Sequence, residues 1–99
     1  MDNVVIIYGA RTPVGRYGGS FKSLKASDLG AVAIMSAIER SGISMSDVEE
    51  VVLGNALQTD EAGYAARMAS LKSGLSYEVP TIAINRQCSS GLESINIAA

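Results

Sequence analysis

Residues 79–95 read VPTIAINRQCSSGLESI, and the order of their parts decides the fold. Val79–Asn85 is an apolar run that reads as a strand, with Pro80 at its start, where a missing N–H costs least. From Ser89 the chain returns to helical character, and Ser90 and Glu93 stand three apart, the spacing of a capping box. Between strand and helix lies Cys88, the only cysteine in the chain. A strand that turns directly into a helix is the joint of an α/β architecture.

The same alternation extends backwards. VVLGNAL (Val51–Leu57) is a second strand candidate, and VVIIY (Val4–Tyr8) is a first, read as buried on both faces because its apolar residues are continuous. A helix is expected from about Ser27, with Asp28 in its first turn, Arg40 in its last and Gly42 as its cap. Its apolar face is read as Leu29, Val32, Ala33, Ile34, Ala37 and Ile38. Ser46 and Glu49 suggest one short capped turn, and QTDEAG (58–63) a polar turn. In YAARMASLKSG, the residues Tyr64, Met68 and Leu71 recur at helical spacing and read as a core stripe, with Gly74 ending the helix. Strand, helix, strand, helix, strand, helix argues for a parallel or mixed sheet with right-handed crossovers.

Composition narrows the class. The chain has 99 residues, 47% of them apolar and 18% charged, with no Trp and one Phe. One small folded domain with an aliphatic, alanine-rich core is indicated, and disorder is not. Eight basic and ten acidic residues leave a net charge of −2, with the basic ones scattered, so no nucleic-acid or membrane surface is marked. One cysteine and no histidine exclude an internal disulfide and a Cys/His zinc site. The first residues are neither a signal-peptide core nor a basic transit peptide, so a cytoplasmic protein is the default expectation. The last residues, GLESINIAA, read as the middle of an apolar helix without a cap, and the chain is expected to be part of a longer polypeptide.

Cys88 carries the chemistry. At a helix mouth, the dipole and free N–H groups favour thiolate over thiol. The carboxyl edge of an α/β sheet is where ligands bind. Small neighbours (Ser89, Ser90, Gly91) leave room for a substrate. The arrangement has the physics of a nucleophile elbow with sulfur in place of oxygen. The competing reading is a small buried apolar residue, the commoner fate of a lone cysteine. Asn85 reads either as a brace for the elbow or as a plain strand end, and Ser89 and Ser90 read as caps rather than nucleophiles. GRYGG matches no phosphate-loop pattern and reads as a turn, while Arg11 and Arg16 read as solvated or interface residues ahead of anion contacts.

INRQCSSGLESI resembles the active-site signature of the thiolases, with Ile84, Asn85, Cys88, Ser89, Ser90, Gly91, Leu92, Ser94 and Ile95 in matching order. ARTPVGRYGGSFKSL is similar to the thiolase segment after the first strand, through Arg11, Thr12, Pro13, Gly15, Gly19 and Phe21. VVLGNALQ and ARMASLKSGL resemble the family's second strand and the helix after it, so the resemblance covers the whole chain. It implies residues 1–99 of a thiolase N-terminal domain, part of a subunit with αβαβα layers. The loop domain and C-terminal half lie outside these residues.

It also implies an acetyl-CoA acetyltransferase or 3-ketoacyl-CoA thiolase in which Cys88 carries the acyl group as a thioester. The backbone N–H of Cys88 would form part of an oxyanion hole, with Asn85, Ser89, Ser90 and Gly91 in support. Implied substrates are coenzyme A thioesters, with no tightly bound cofactor or metal, and the implied assembly is a homodimer or homotetramer. NRQCSSGL is closer to the broad 3-ketoacyl-CoA enzymes than to strict acetoacetyl-CoA ones. The family's activating histidine and second cysteine fall in later segments, which accounts for a chain without histidine. Two rivals stay open: a decarboxylating ketosynthase with a cysteine at the same elbow, and a non-catalytic thiolase-like protein.

Overall fold

The computed structural model describes residues 3–58 and 64–99. Helix α1 spans Ala26–Ser41, a 3-10 turn Met45–Asp47, strand β1 Val51–Gly54, helix α2 Ala65–Lys72, strand β2 Thr81–Ile84 and helix α3 Ser90–Ala98. β1 and β2 run parallel, in a register that pairs Val51 with Thr81 and Gly54 with Ile84. The fold is therefore α/β, with α2 as the crossover between two parallel strands. α2 and α3 both pack on the strands, and α1 packs on α2.

Both strands are shorter than their apolar runs. The ladder opens at Val51 N–H to Pro80 C=O (3.0 Å) and closes at Asn55 N–H to Ile84 C=O (2.9 Å). Pro80 has no N–H to extend it, and beyond Asn85 the chain turns into the elbow. The expected turn at Ser46/Glu49 lies two residues earlier. Ser44 is its cap: the Ser44 N–H donates to Asp47 Oδ2 (3.2 Å), and Ser44 Oγ accepts from Ser46 N–H (3.3 Å). The polar turn expected over 58–63 lies, from residue 59 on, outside the described residues.

The strand expected at Val4–Tyr8 does not form, and its side chains are 54–78% exposed. A fully buried parallel strand needs a lateral partner and two covering layers. Among the described residues the only ladder is β1–β2, so the run lies extended and unpaired. No helix among the described residues is long and apolar enough to cross a membrane.

Helix α1 ends as expected, with Gly42 in the left-handed region at φ 77°, and Gly74 follows α2 at φ 90°. The core stripe of α2 is not the expected one. Ala65, Ala66, Ala69 and Ser70 are buried, while Tyr64 and Leu71 are about two-fifths exposed. On α1, likewise, Ser27 and Ala31 are buried and Val32 is exposed.

The cause is a close helix–helix approach: a Cβ placed on Gly30 of α1 would stand 3.0 Å from the Ala69 Cβ of α2. Only small side chains fit that seam. Larger residues therefore turn outward or toward the strands, where Ile34, Ile38 and Val48 pack on Val51, Leu75 and Val79.

Polar ties close the ends. Lys72 Nζ donates to Ser27 Oγ (2.7 Å) and to Asp28 Oδ1 (3.0 Å), joining the last turn of α2 to the first turn of α1. The charges oppose the helix dipoles with the favourable sign, worth up to about 1 kcal/mol at this exposure. Arg67 fastens α2 to the segment before β2, donating to the carbonyls of Val79 (2.7 Å) and Tyr77 (2.6 Å).

The small-residue seam has a direct test. Ala69→Leu is expected to destabilise the chain by about 1–3 kcal/mol through overpacking. Leu71→Ala, at a half-exposed position, should cost less. Urea unfolding midpoints of the two variants decide, and the reverse order would restore the bulky stripe as the core.

Candidate active site

The elbow runs from the end of β2 to the start of α3. Ile84 closes the strand, α3 begins at Ser90, and five residues make the turn. Ser89 N–H donates to Arg86 C=O (3.0 Å) and Ser90 N–H to Gln87 C=O (3.2 Å), so two overlapping turns reverse the chain. Gln87 takes φ 49°, the only non-glycine positive φ among the described residues. That conformation costs an L residue about 1–2 kcal/mol and persists only where neighbours over-determine it.

Two side chains over-determine it here. Asn85 Oδ1 accepts the Gln87 N–H (3.1 Å), an Asx turn that meets the strained peptide from below. Ser90 Oγ accepts the Arg86 N–H (2.9 Å) and donates to the Gln87 C=O (2.6 Å), spanning the turn from above. Ser90 itself is 5% exposed. Asn85 thus bonds to backbone within the elbow. The cap reading of the serines does not match the geometry: Ser89 occupies the cap position without a side-chain bond, and Ser90 faces back into the turn. Glu93, expected to complete a capping box, lies half-buried instead, 3.8 Å from Nη1 of the exposed Arg86.

Cys88 sits at the apex and is exposed, which removes the reading of a buried core thiol. Its backbone N–H makes no hydrogen bond among the described residues, whereas those of Arg86, Gln87, Ser89 and Ser90 are all engaged. An exposed sulfur beside an uncommitted amide, at a helix N-terminus, can attack a carbonyl carbon and offer a donor to the resulting oxygen. Gly91 has nothing within 4 Å of a notional Cβ, leaving that side of the turn open.

Two residues at the end of β1 went unnoticed in the sequence: Gly54, its last residue, and Asn55, which follows it. Gly54 lies against Ser90 and Gly91. Asn55, bonded through its N–H to Ile84, has its side-chain nitrogen buried without a partner among the described residues. A glycine ending an otherwise aliphatic run was the available signal for the first; nothing in the sequence marks the second. Arg11 and Arg16 are exposed. In the same segment Gly15, at φ 75°, lies so close to the Phe21 ring that a Cβ would stand 2.9 Å from it.

The family model described as "Thiolase, N-terminal domain" matches residues 4–99. The chain belongs to the thiolase family. It is 46% identical, over all of its 99 residues, to a protein of Xenopus tropicalis named "Acetyl-CoA acetyltransferase, mitochondrial". Over 98 residues it is 43% identical to one of Staphylococcus aureus (strain NCTC 8325 / PS 47) named "Probable acetyl-CoA acyltransferase". The alignments take in 24% and 25% of those relatives, so this thiolase chain spans about a quarter of the length of the curated relatives it matches.

Strain at Gln87 makes a prediction. Gln87→Gly is expected to keep or raise stability, by up to about 1 kcal/mol, because glycine adopts φ 49° without penalty. Gln87→Val should lower it by about 1–2 kcal/mol, a β-branched side chain being the poorest fit to that region. Thermal midpoints in the opposite order would mean that the elbow relaxes out of this conformation.

Proposed function

We propose that this chain supplies the acylated cysteine of an acyl-CoA acyltransferase, a thiolase that cleaves 3-ketoacyl-CoA or condenses two acetyl-CoA. One observation carries the reading: Cys88 is an exposed thiol at a braced strand–helix elbow, and its own N–H is uncommitted. In thiolysis the Cys88 sulfur attacks the 3-keto carbonyl. The bond from that carbon to the α-carbon then breaks, and acetyl-CoA leaves as an enolate that takes up a proton. The acyl group stays on sulfur as a thioester, until the thiol of coenzyme A loses its proton and displaces Cys88. Condensation runs the same bonds in reverse.

In this reading the Cys88 N–H donates to an oxyanion, and Asn85, Ser90 and Gly91 support the turn that carries it. Substrates are coenzyme A thioesters, and the working assembly is a homodimer or homotetramer in the cytoplasm. Each proton transfer needs a base or acid, and these 99 residues contain no histidine.

The test is a chimera in which residues 1–99 replace the matching quarter of the Xenopus tropicalis relative. It should thiolyse acetoacetyl-CoA, gain one acetyl group on the Cys88 peptide when given acetyl-CoA, and lose both properties with Cys88→Ala. A chimera that folds but is never acylated at Cys88 would sink the proposal. Alkylation of Cys88 by iodoacetamide no faster than free cysteine would favour a non-catalytic role.

The 99 residues alone are expected to show no thiolysis of acetoacetyl-CoA. Turnover by the isolated chain would contradict the need for an external base.

A further inference from the structure

We propose that Gly54 is a positioning residue for Cys88, acting through Ser90. It rests on the reading of Cys88 as the acylated nucleophile and adds to it a second element, the end of β1. Glycine inside a strand loses packing and costs conformational entropy, so its presence needs a reason. Backbone conformation is not that reason, since Gly54 is absent from the positive-φ residues Gly15, Gly18, Gly42 and Gly74. The reason is space. A Cβ on Gly54 would lie 2.6 Å from both the carbonyl carbon and oxygen of Ser90, and 2.8 Å from the nitrogen of Gly91. All three are backbone atoms of the first turn of α3, so no flexible side chain can swing aside. The turn itself must move.

The movement would pass to the elbow along one bonded path. Ser90 is the residue whose hydroxyl holds Arg86 N–H at 2.9 Å and Gln87 C=O at 2.6 Å. Lifting its backbone draws that hydroxyl from both partners at once. Gln87, at φ 49°, then loses one of the two ties that keep it strained, and Cys88 is the next residue along. A single carbon on a neighbouring strand is thus expected to shift the thiol without touching it.

The experiment uses the 99-residue chain and four variants: Gly54→Ala, Ser90→Ala, the double variant, and Gly9→Ala, whose added carbon meets nothing within 4 Å. Amide hydrogen exchange at Arg86 reads the elbow, exchange at Val51 reads the far end of β1, and iodoacetamide labelling reads Cys88. Gly54→Ala and Ser90→Ala should each speed Arg86 exchange about fivefold, the scale of one net hydrogen bond. Each should also change the rate of Cys88 labelling relative to Gly9→Ala. The double variant should go no further than the larger single effect, because both changes break the same link.

Additive effects, or a Gly54→Ala chain indistinguishable from Gly9→Ala, would overturn the proposal. Loss of Val51 protection in Gly54→Ala would also overturn it, making Gly54 a residue of the general fold. Neither readout requires acyl transfer. Coupling without acylation in the chimera would leave the positioning and remove the function, and acylation without coupling would do the reverse.

Discussion

The structure turns on one backbone-to-backbone contact, the first turn of α3 laid against the last residue of β1 with no side chain between them. Parallel strands fix where β2 ends, because the register ties Ile84 to Gly54. The turn after β2 has five residues in which to reverse direction. With the helix seated so close to the neighbouring strand, the reversal must be sharp, and Gln87 absorbs it. The hydroxyl of Ser90 and the amide of Asn85 take up the polar groups that a sharp turn exposes. An exposed cysteine at the apex follows from this geometry.

A comparable rule of closeness governs the other side of the molecule. α1 and α2 approach closely at Gly30 and Ala69, Ala31 and Ala66 are buried, and bulkier residues are turned elsewhere. In both places the chain gains proximity by giving up side-chain volume. At the elbow the proximity sharpens a turn, and in the helix pair it serves packing alone.

What could be read from the sequence were the features with local causes. Gly42 announced the end of α1, Pro80 the start of β2, and the apolar runs the order of elements. Cys88 stood out by being unique, and its surroundings were legible because small residues at a strand–helix joint have few other uses. The misses share a different origin. Val4–Tyr8 has the composition of a buried strand, but pairing is a property of two segments and cannot be read from one. Tyr64, Met68 and Leu71 have helical spacing and the wrong bulk for the seam, a fact written in Gly30 across the interface. Ser90 has cap spacing, yet the turn before it supplied better partners for its hydroxyl. Gly54 and Asn55 reach the site only because β1 and β2 are neighbours in space, some thirty positions apart in the chain.

The unpaired run at Val4–Tyr8 has a consequence for the solution behaviour of these 99 residues. Five successive uncharged residues of high β-propensity, with open backbone donors and acceptors, form a sticky edge. An edge of this kind is a template on which another chain can pair in a concentrated sample. A charge or a proline placed there acts as a gatekeeper against fibrils.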